Sequence, residues 1–407
     1  MAFLFQFRGP NNGYQRLKMR FVALGRNGHL ALGIVIFLVL AVLLAAPYFS
    51  ASKLKPKFSL TSIKNFNCTR QDLDFPPQLE GPISSIVHYV WLLKDPKVFR
   101  LEFKFFISVY STHLYLKPDM IYIHTDASRE MFIDARIRGD EWTRRVLGIP
   151  NVVHHYVPAP LRTEKGVAIT HLEHKADFLR TEALIKFGGI YLDSDAIPLR
   201  SMSSLRHAGF ANIVGGAVAL KMKHTGFINN GVMMSVAGSS LMKIYLRTAQ
   251  EYFDGVWATA SVFVLTDLVD KMGNIEGEVL VLGEKAFAPM SWEREDQIRL
   301  FKPHLRPPTT ISVPKTLDHG SLDTCQEKYE WLRWMEALGT RKEDWEIDFS
   351  SSYVLHAFDD EVGSIGAGWD GKITLDYVLA RRSNYARAVF PAISHAIDAG
   401  VIPNSLH

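Results

Sequence analysis

The segment from residue 171 to residue 200 constrains the fold more than any other part of this chain. Its apolar residues recur at helical spacing, in the order Leu172, Ala176, Leu179, Ala183 and Phe187. The pair Gly188-Gly189 then stops the helix, and a short apolar strand over residues 190–192 runs directly into two aspartates one residue apart. The pattern predicts a helix that returns to a sheet and delivers two carboxylates to a strand end.

The two aspartates, Asp193 and Asp195, flank Ser194. Alternate residues of a strand point to opposite faces, so both aspartates serve one site only if the strand breaks into a turn at Ser194. Two carboxylates at such a turn suit Mg²⁺ or Mn²⁺ carrying a diphosphate, because these ions prefer oxygen ligands and keep positions for phosphate oxygens. We therefore predict a metal and diphosphate site here. The alternative is an aspartate pair that only caps a turn.

The wider segment resembles the DXD signature of glycosyltransferase family 32, which includes Golgi mannosyltransferases and inositol-phosphoceramide mannosyltransferases. The resemblance is carried by Ala176, Asp177, Arg180, Gly188, Gly189, Tyr191, Asp193 and Asp195. Three further segments resemble the same family in the same chain order, namely Ile86–Leu92, Asn229–Met233 and Ser352–His356. The resemblance therefore extends over roughly residues 83–360.

This resemblance implies a metal-dependent, retaining glycosyltransferase that moves a hexose from a UDP- or GDP-linked nucleotide sugar to a glycan or glycolipid acceptor. It implies an α/β fold of the GT-A-like, Rossmann type, with a mostly parallel sheet flanked by helices. Asp193 and Asp195 are the expected catalytic residues. With His356 they are also the expected ligands of a Mn²⁺ or Mg²⁺ cofactor, and an imidazole ligand favours manganese.

The resemblance further implies a set of donor-binding residues, namely Trp91, Asp177, Arg180, Tyr191, Asn229 and Asn230. Asp177 and Arg180 share one face of a helix, so a salt bridge on a solvated face is their alternative role. Asn229 and Asn230 enter an apolar strand, where buried amides need hydrogen-bond partners. A sugar hydroxyl is one possible partner, and a purely structural role is the alternative. Trp91 is expected to stack in the nucleotide pocket, and its alternative is a core tryptophan.

Apolar strand-like runs alternate with amphipathic segments after residue 83. The predicted strands include Ile86–Leu92, Met120–Thr125, Val152–Val157, Ala211–Leu220, Ile228–Ser235 and Val279–Ala288. Further helices are predicted near Phe99–Tyr115, Glu141–Leu147 and Leu241–Phe253. This alternation predicts a mostly parallel sheet with helices on both faces.

An uncharged apolar run, Leu30–Ala46, precedes this domain. Continued to Phe49 as a helix, it spans about 30 Å, enough to cross a bilayer. A signal peptide cleaved near Ser50–Ser52 is the alternative. We predict a cytosolic tail, a transmembrane anchor, a stem and a GT-A-like catalytic domain, over residues 1–28, 29–49, 50–82 and 83–407.

Basic residues flank the apolar run on both sides, so charge does not orient it. The glycosylation sequon at Asn67 favours a lumenal catalytic domain, and hence a single-pass type II protein of the Golgi or endoplasmic reticulum. Cys68 and Cys325 either pair in that oxidising lumen or remain free thiols. The net charge of +4, with no long basic block, argues against a nucleic-acid partner.

Two other functions compete with sugar transfer. A phosphatase of the haloacid dehalogenase type also ends an apolar strand with Asp-x-Asp, but Ile197 departs from its pattern and the motif lies deep inside the domain. A membrane-anchored scaffold with a degenerate transferase domain needs no chemistry. The intact Asp193, Asp195 and His356 argue against that scaffold.

Overall fold

The computed structural model describes residues 4–8, 14–18, 82–219, 224–305, 343–358 and 369–403. The chain divides into two compact units, Met1–Cys68 and Thr69–His407. In the first unit, β1 (Leu4–Arg8) pairs antiparallel with β2 (Tyr14–Lys18).

Several predicted features of the N-terminal region and the cysteines lie outside the described residues: the anchor at 29–49, the stem except for its last residue, Asn67, Cys68 and Cys325. Among the helices that the structure describes, none has both the length and the apolar character needed to cross a bilayer.

The described strands of the second unit form one large mixed sheet and one small sheet. They are β3 (Ile86–Val90), β4 (Met120–Thr125), β5 (Val152–Tyr156), β6 (Gly189–Leu192), β7 (Ala196–Pro198), β8 (Asn212–Ala219), β9 (His224–Ser235), β10 (Val279–Leu282) and β11 (Val354–His356). The large sheet has the order β10-β8-β9-β6-β3-β4-β5, and β7 pairs antiparallel with β11. Only β9 runs against its neighbours in the large sheet, which confirms the predicted mostly parallel arrangement.

The described helices of this unit are α1 (Phe103–Ser111), α2 (Arg129–Arg138), α3 (Glu141–Leu147), α4 (Leu172–Phe187), α5 (Ser203–Arg206), α6 (Ser240–Tyr252), α7 (Val264–Met272), α8 (Arg294–Phe301), α9 (Leu375–Ala380) and α10 (Asn384–Asp398). Two π-helical turns, Thr112–Leu116 and Thr259–Phe263, and a 3-10 turn, Glu284–Ala286, complete the helical structure described.

Helices cover both faces of the large sheet, as the alternating pattern predicted. Ile190 and Leu192 of β6 belong to an apolar cluster that includes residues of α1 and α10. Tyr191, between them, belongs to a second cluster with residues of α4, α6 and α7. Because successive strand side chains point to opposite faces, the two clusters are the cores above and below the sheet.

The predicted double-glycine stop after α4 is confirmed. Gly188 and Gly189 have φ values of 62° and 101°, which L-residues with side chains rarely adopt. A Cβ atom on Gly189 would lie only 2.3 Å from the carbonyl oxygen of Ile86 on β3. The glycine pair therefore lets the chain turn out of α4 and enter the sheet directly beside β3.

Other element boundaries correct the predictions. The helix predicted near 99–115 is the shorter α1 followed by a π-helical turn, and α2 was not predicted. The strand predicted for Val279–Ala288 ends at Leu282, because Gly283 leads into the 3-10 turn. Strand β9 begins at His224, four residues earlier than predicted.

Candidate active site

The DXD motif forms the predicted turn at the carboxyl end of β6. Strand β6 ends at Leu192, Ser194 and Asp195 form the turn, and β7 starts at Ala196. The backbone N–H of Asp193 donates to the carbonyl of Gly231 on β9 at 2.8 Å, and that of Ala196 donates back to the carbonyl of Asp193 at 3.0 Å. This break in the strand places both aspartates at one edge of the sheet, as the two-residue spacing required.

A contact far apart in sequence brings His356 to this turn. The β7–β11 ladder places His356 opposite Ala196, and the N–H of Ala357 donates to the carbonyl of Asp195 at 3.0 Å. The Nε2 atom of His356 lies 3.3 Å from Asp195 Oδ1 and 3.6 Å from Asp193 Oδ2. One ligand atom from each of the three residues lies within 4.8 Å of the others. The three predicted metal ligands therefore converge.

Arg180 joins the turn from α4. Its guanidinium lies 3.0 Å from Asp193 Oδ1 and donates to the carbonyl of Asn230 at 2.9 Å. The Tyr191 hydroxyl donates to the same carboxylate oxygen at 2.6 Å, and Arg180 lies 4.6 Å above the Tyr191 ring. Tyr191 is only 1% exposed, so its direct role is to orient Asp193. It is a positioning residue for the carboxylate.

Asp177 closes the network on its inner side. Its Oδ1 atom lies 3.4 Å from Arg180 and accepts a hydrogen bond from Asn230 Nδ2 at 2.8 Å. The predicted Asp177–Arg180 pair thus exists, but Arg180 is only 5% exposed. A salt bridge on a solvated face does not describe it, because the pair is tied to both the DXD turn and β9.

The Asn229–Gly231 stretch lies at an irregularity in β9. The β8–β9 register shifts between the Val214–Met233 and Gly215–Asn229 pairs, as a bulge does next to a binding site. Asn229 Oδ1 accepts from the N–H of Gly231 at 2.7 Å. Both asparagines are buried and, in this structure, make intramolecular hydrogen bonds.

Residues 106–211 match a family described as the glycosyltransferase sugar-binding region containing a DXD motif. Over these residues the chain is similar to DXD-containing glycosyltransferases. The match confirms the resemblance found in the sequence, and it includes Asp177, Arg180, Tyr191, Asp193 and Asp195. His356 lies beyond the matched residues, and the geometry described above is what brings it to them.

Known proteins similar to this chain include "Glucan organizing enzyme 1" of Cryptococcus neoformans, 24% identical over 53% of this chain and 56% of that protein. "O-glycosyltransferase PaGT" of Phomopsis amygdali is 36% identical over 17% of this chain and 20% of that protein. The chain thus spans about half of the first relative and a fifth of the second. The structural match to the glycosyltransferase GlyE of Streptococcus pneumoniae covers 78% of this chain and 64% of the GlyE chain, at 11% identity and a TM-score of 0.38. A score this low adds nothing to the fold described above.

The side-chain atoms of Asp193, Asp195 and His356 fit a divalent cation. Two carboxylates and an imidazole suit Mn²⁺, and carboxylates alone suit Mg²⁺. Gly231 leaves room for this set, because a Cβ atom there would lie 2.4 Å from His356 Cε1 and 2.6 Å from Asp193 Oδ2. In the sequence, Gly231 directly follows Asn229 and Asn230. Its close approach to His356 and Asp193 was not predicted.

The electrostatics around Asp177, Asp193 and His356 favour a bound cation. Burial raises the pKa of Asp177 to about 6, although Arg180 opposes the shift. Burial also raises the pKa of Asp193, against the influence of Arg180 and His356. Burial, the largest single influence, lowers the pKa of His356, but the carboxylates of Asp195 and Asp193 together outweigh it and the pKa is raised. Asp177 and Asp193 share the guanidinium of Arg180, and Asp195 faces His356, so a bound cation would stabilise the ionised carboxylates.

Trp91 lies at the same edge of the sheet, one residue beyond β3, which is the parallel neighbour of β6. Its ring packs on Phe105 of α1 with centroids 4.8 Å apart, and it is half-buried against the core. This packing agrees with the core alternative, and stacking in the nucleotide pocket stays a prediction. Tyr245, which sequence reasoning missed, lies 3.5 Å from Asn230 and donates to the carbonyl of Ser261.

Proposed function

We propose that this protein is a metal-dependent, retaining glycosyltransferase that moves a hexose from a UDP- or GDP-linked sugar to a glycan or glycolipid acceptor. The observation that carries the proposal is the convergence of Asp193, Asp195 and His356 beside the buried Arg180. A mostly parallel sheet with this cluster at the carboxyl end of a strand supports a GT-A-like catalytic domain.

The leaving diphosphate explains why these residue types stand together. Asp193, Asp195 and His356 would hold Mn²⁺, or Mg²⁺, which would act as a Lewis acid for the departing diphosphate. Arg180 fixes Asp193 from α4, and Tyr191 orients the same carboxylate from β6. Asp177 and Asn230 form a hydrogen-bonded wall that would hold polar groups of the donor.

We propose front-face attack for the retaining step. The carboxylates Asp177, Asp193 and Asp195 already contact Arg180, Asn230 or His356, so none of them is presented as a nucleophile. The acceptor hydroxyl would form its bond to the anomeric carbon on the side from which the diphosphate departs. The bond from that carbon to the phosphate oxygen breaks, and the leaving phosphate takes the proton of the acceptor hydroxyl.

The acceptor chemistry and the cellular location are parts of the same proposal. The name O-glycosyltransferase PaGT refers to transfer to oxygen by that relative, and this supports a hydroxyl acceptor here. The apolar run at residues 30–46 and the sequon at Asn67 support a type II membrane protein of the Golgi or endoplasmic reticulum with a lumenal catalytic domain.

A panel of nucleotide sugars tests the activity. We expect slow hydrolysis of one UDP- or GDP-hexose with Mn²⁺, and loss of that hydrolysis after EDTA treatment. A phosphatase would instead release phosphate from simple phosphate esters, and a scaffold would act on neither substrate. Absence of metal-dependent turnover across the panel would contradict the proposal.

Protease treatment of sealed vesicles tests the topology. We expect the catalytic domain to be protected until detergent is added, and Asn67 to carry a glycan that a glycosidase removes. Digestion of this domain from the cytosolic side of intact vesicles would overturn the proposed orientation.

A further inference from the structure

Two aromatic side chains from different loops meet beside His356. The Phe358 ring lies 3.9 Å from the His356 ring, centroid to centroid, and the Trp292 ring lies 5.8 Å from Phe358 at an angle of 70°. Trp292 is 43% exposed, although it is the largest apolar side chain in its loop. Phe358 has a φ of 51°, which non-glycine residues rarely adopt. Strained backbone of this kind persists where the surroundings hold it for a purpose.

A buried amide holds the two loops together. Gln297 of α8 is 1% exposed, and its Nε2 donates to the carbonyl of Ser291 at 2.9 Å and to that of Ala357 at 3.1 Å. Each of these carbonyls belongs to the residue directly before one of the aromatics. The carboxylate of Asp296 also accepts from the N–H and hydroxyl of Ser291. The backbone next to each aromatic is therefore held before any ligand binds, which lowers the entropy cost of binding.

The aromatic pair and the predicted donor residues contact different members of the cluster formed by Asp193, Asp195 and His356. Arg180 and Tyr191 contact Asp193, whereas Phe358 contacts His356. The donor side of the cluster is thus polar and charged, and the flank at His356 is aromatic and accessible through Trp292. A second substrate that reaches the same reaction centre would approach along this aromatic flank.

We propose that Trp292 and Phe358 form an aromatic wall that stacks against a hexose ring of the acceptor. This inference rests on the proposed glycosyltransferase function and extends it to the second substrate. One face of a hexose ring presents C–H groups, which pack against the electron-rich face of an indole while the hydroxyls stay free for hydrogen bonds. The wall selects acceptors whose terminal hexose has such a face.

The test uses methyl α-mannoside, methyl β-galactoside and methyl β-glucoside as acceptor probes for the full-length protein, with UDP or GDP and Mn²⁺ present. We expect wild type to bind at least one of them, and Trp292→Ala to weaken that binding about tenfold. Trp292→Phe should retain most of the affinity, since it keeps an aromatic face. The melting temperature of Trp292→Ala should stay near that of wild type, because the side chain is exposed.

Trp257→Ala is the matched control, since Trp257 is also exposed, at 62%, but its ring packs on His171 and His174 of the α4 region. It should leave hexoside affinity unchanged. The affinity of Trp292→Ala for UDP or GDP with Mn²⁺ should equal that of wild type. A weakened nucleotide affinity would show that the wall holds the donor base, and would overturn the proposal.

The remaining outcomes are equally decisive. If wild type binds none of the three hexosides, the acceptor does not stack on this wall. Equal hexoside affinity in wild type and Trp292→Ala would lead to the same conclusion. If wild type nevertheless hydrolyses a nucleotide sugar with Mn²⁺, the proposed function stands while this inference fails. If that hydrolysis is also absent, the proposed function itself fails.

Discussion

Two polar clusters lie along the same sheet, and they differ in charge. The cluster of Asp193, Asp195, His356 and Arg180 stands at the carboxyl end of β6 and mixes carboxylates with cationic groups. The second cluster consists of imidazoles alone. It crosses β3, β4 and β5 under the end of α4, and its members are His88, His124 and His155.

The histidine cluster forms a single chain of hydrogen bonds. His88 Nε2 donates to the carbonyl of Gly188 at 2.7 Å, so His88 Nδ1 is free to accept from His124 Nε2 at 2.9 Å. His124 Nδ1 in turn accepts from His155 Nδ1 at 2.9 Å. One set of neutral tautomers therefore satisfies each of these contacts.

The pKa values of the buried histidines diverge accordingly. Burial lowers the pKa of His88 to about 4 and that of His124 to about 2, whereas the pKa of His356 is raised by Asp195 against the effect of burial. A neutral network with satisfied hydrogen bonds stabilises the fold. A cluster of crowded carboxylates with shifted pKa values is instead typical of a binding site. Both clusters are buried and polar, so these two properties do not distinguish them. They differ in charge, because the histidine cluster is neutral and the other contains ionisable carboxylates.

Removal of a carboxylate from the charged cluster should have the largest effect. We expect Asp195→Ala to lower sugar transfer by at least about a hundredfold, because it removes an oxygen ligand of the cation. The melting temperature should change little, since the turn backbone is held by β7 and β11. Asp370→Ala, at a surface aspartate, is the control and should retain activity. Near-normal turnover of Asp195→Ala in metal-depleted buffer would refute the metal and diphosphate assignment.

Alanine at one histidine of each cluster should give opposite results. We expect His356→Ala to weaken nucleoside diphosphate and Mn²⁺ binding together by about thirtyfold, or ~2 kcal/mol, with a small change in the melting temperature of the ligand-free protein. His88→Ala should lower that melting temperature, because it leaves the carbonyl of Gly188 without its donor, and should leave affinity per folded molecule unchanged.

Calorimetric titration and ligand-free melting curves of both variants provide the measurements. A His356→Ala variant that is destabilised but binds nucleotide normally would show that His356 stabilises the fold, as His88 does, and does not bind the ligand. The distinction between the clusters would then disappear.

Acid should destabilise the protein through the histidine chain. The folded pKa of His88, about 4, lies below the ordinary value of 6.5, so the unfolded chain binds the proton first as pH falls. The stability that neutral His88 contributes is fully present above pH 6.5 and is lost progressively as pH drops toward 4. By pH 5 we expect His88 to account for ~2 kcal/mol of lost stability.

The comparison for this pH effect is His88→Gln, whose amide is able to donate to Gly188 without titrating. Its melting temperature should fall less than that of wild type between pH 7 and pH 5. If the melting temperatures of the two proteins fall equally between pH 7 and pH 5, His88 is not the titrating group.

Local pattern predicted the parts of the site that lie close together in sequence. The α4–glycine–β6 unit and the turn at Ser194 follow from spacing and from the conformational freedom of Gly188 and Gly189. The approach of His356 depends on the β7–β11 ladder, which joins segments far apart in the chain. It was expected only through the family resemblance, because no local rule specifies that pairing.

Elements whose signal is non-local or mixed were missed. Helix α2 carries charges among its apolar residues, and its Ile133 and Ile137 are exposed, so no clean apolar face marks it. The His88–His124 contact joins neighbouring strands and has no signature within either one. The role of Gly231 also emerges only when β9 is placed against β6 and β11.

The smallest predicted effect concerns the hydroxyl that orients Asp193. Tyr191→Phe removes the 2.6 Å hydrogen bond to Asp193 but keeps the ring beneath Arg180, so the cation–π contact remains. We expect Mn²⁺ affinity to fall about fivefold, since one hydrogen bond to a charged group is lost. Tyr110→Phe is the control, because Tyr110 is also buried and its hydroxyl bonds His395 of α10 instead of a residue of the cluster. That control should lower the melting temperature and leave Mn²⁺ affinity unchanged. If both variants lost Mn²⁺ affinity equally, Tyr191 would act through the stability of the fold and not through Asp193.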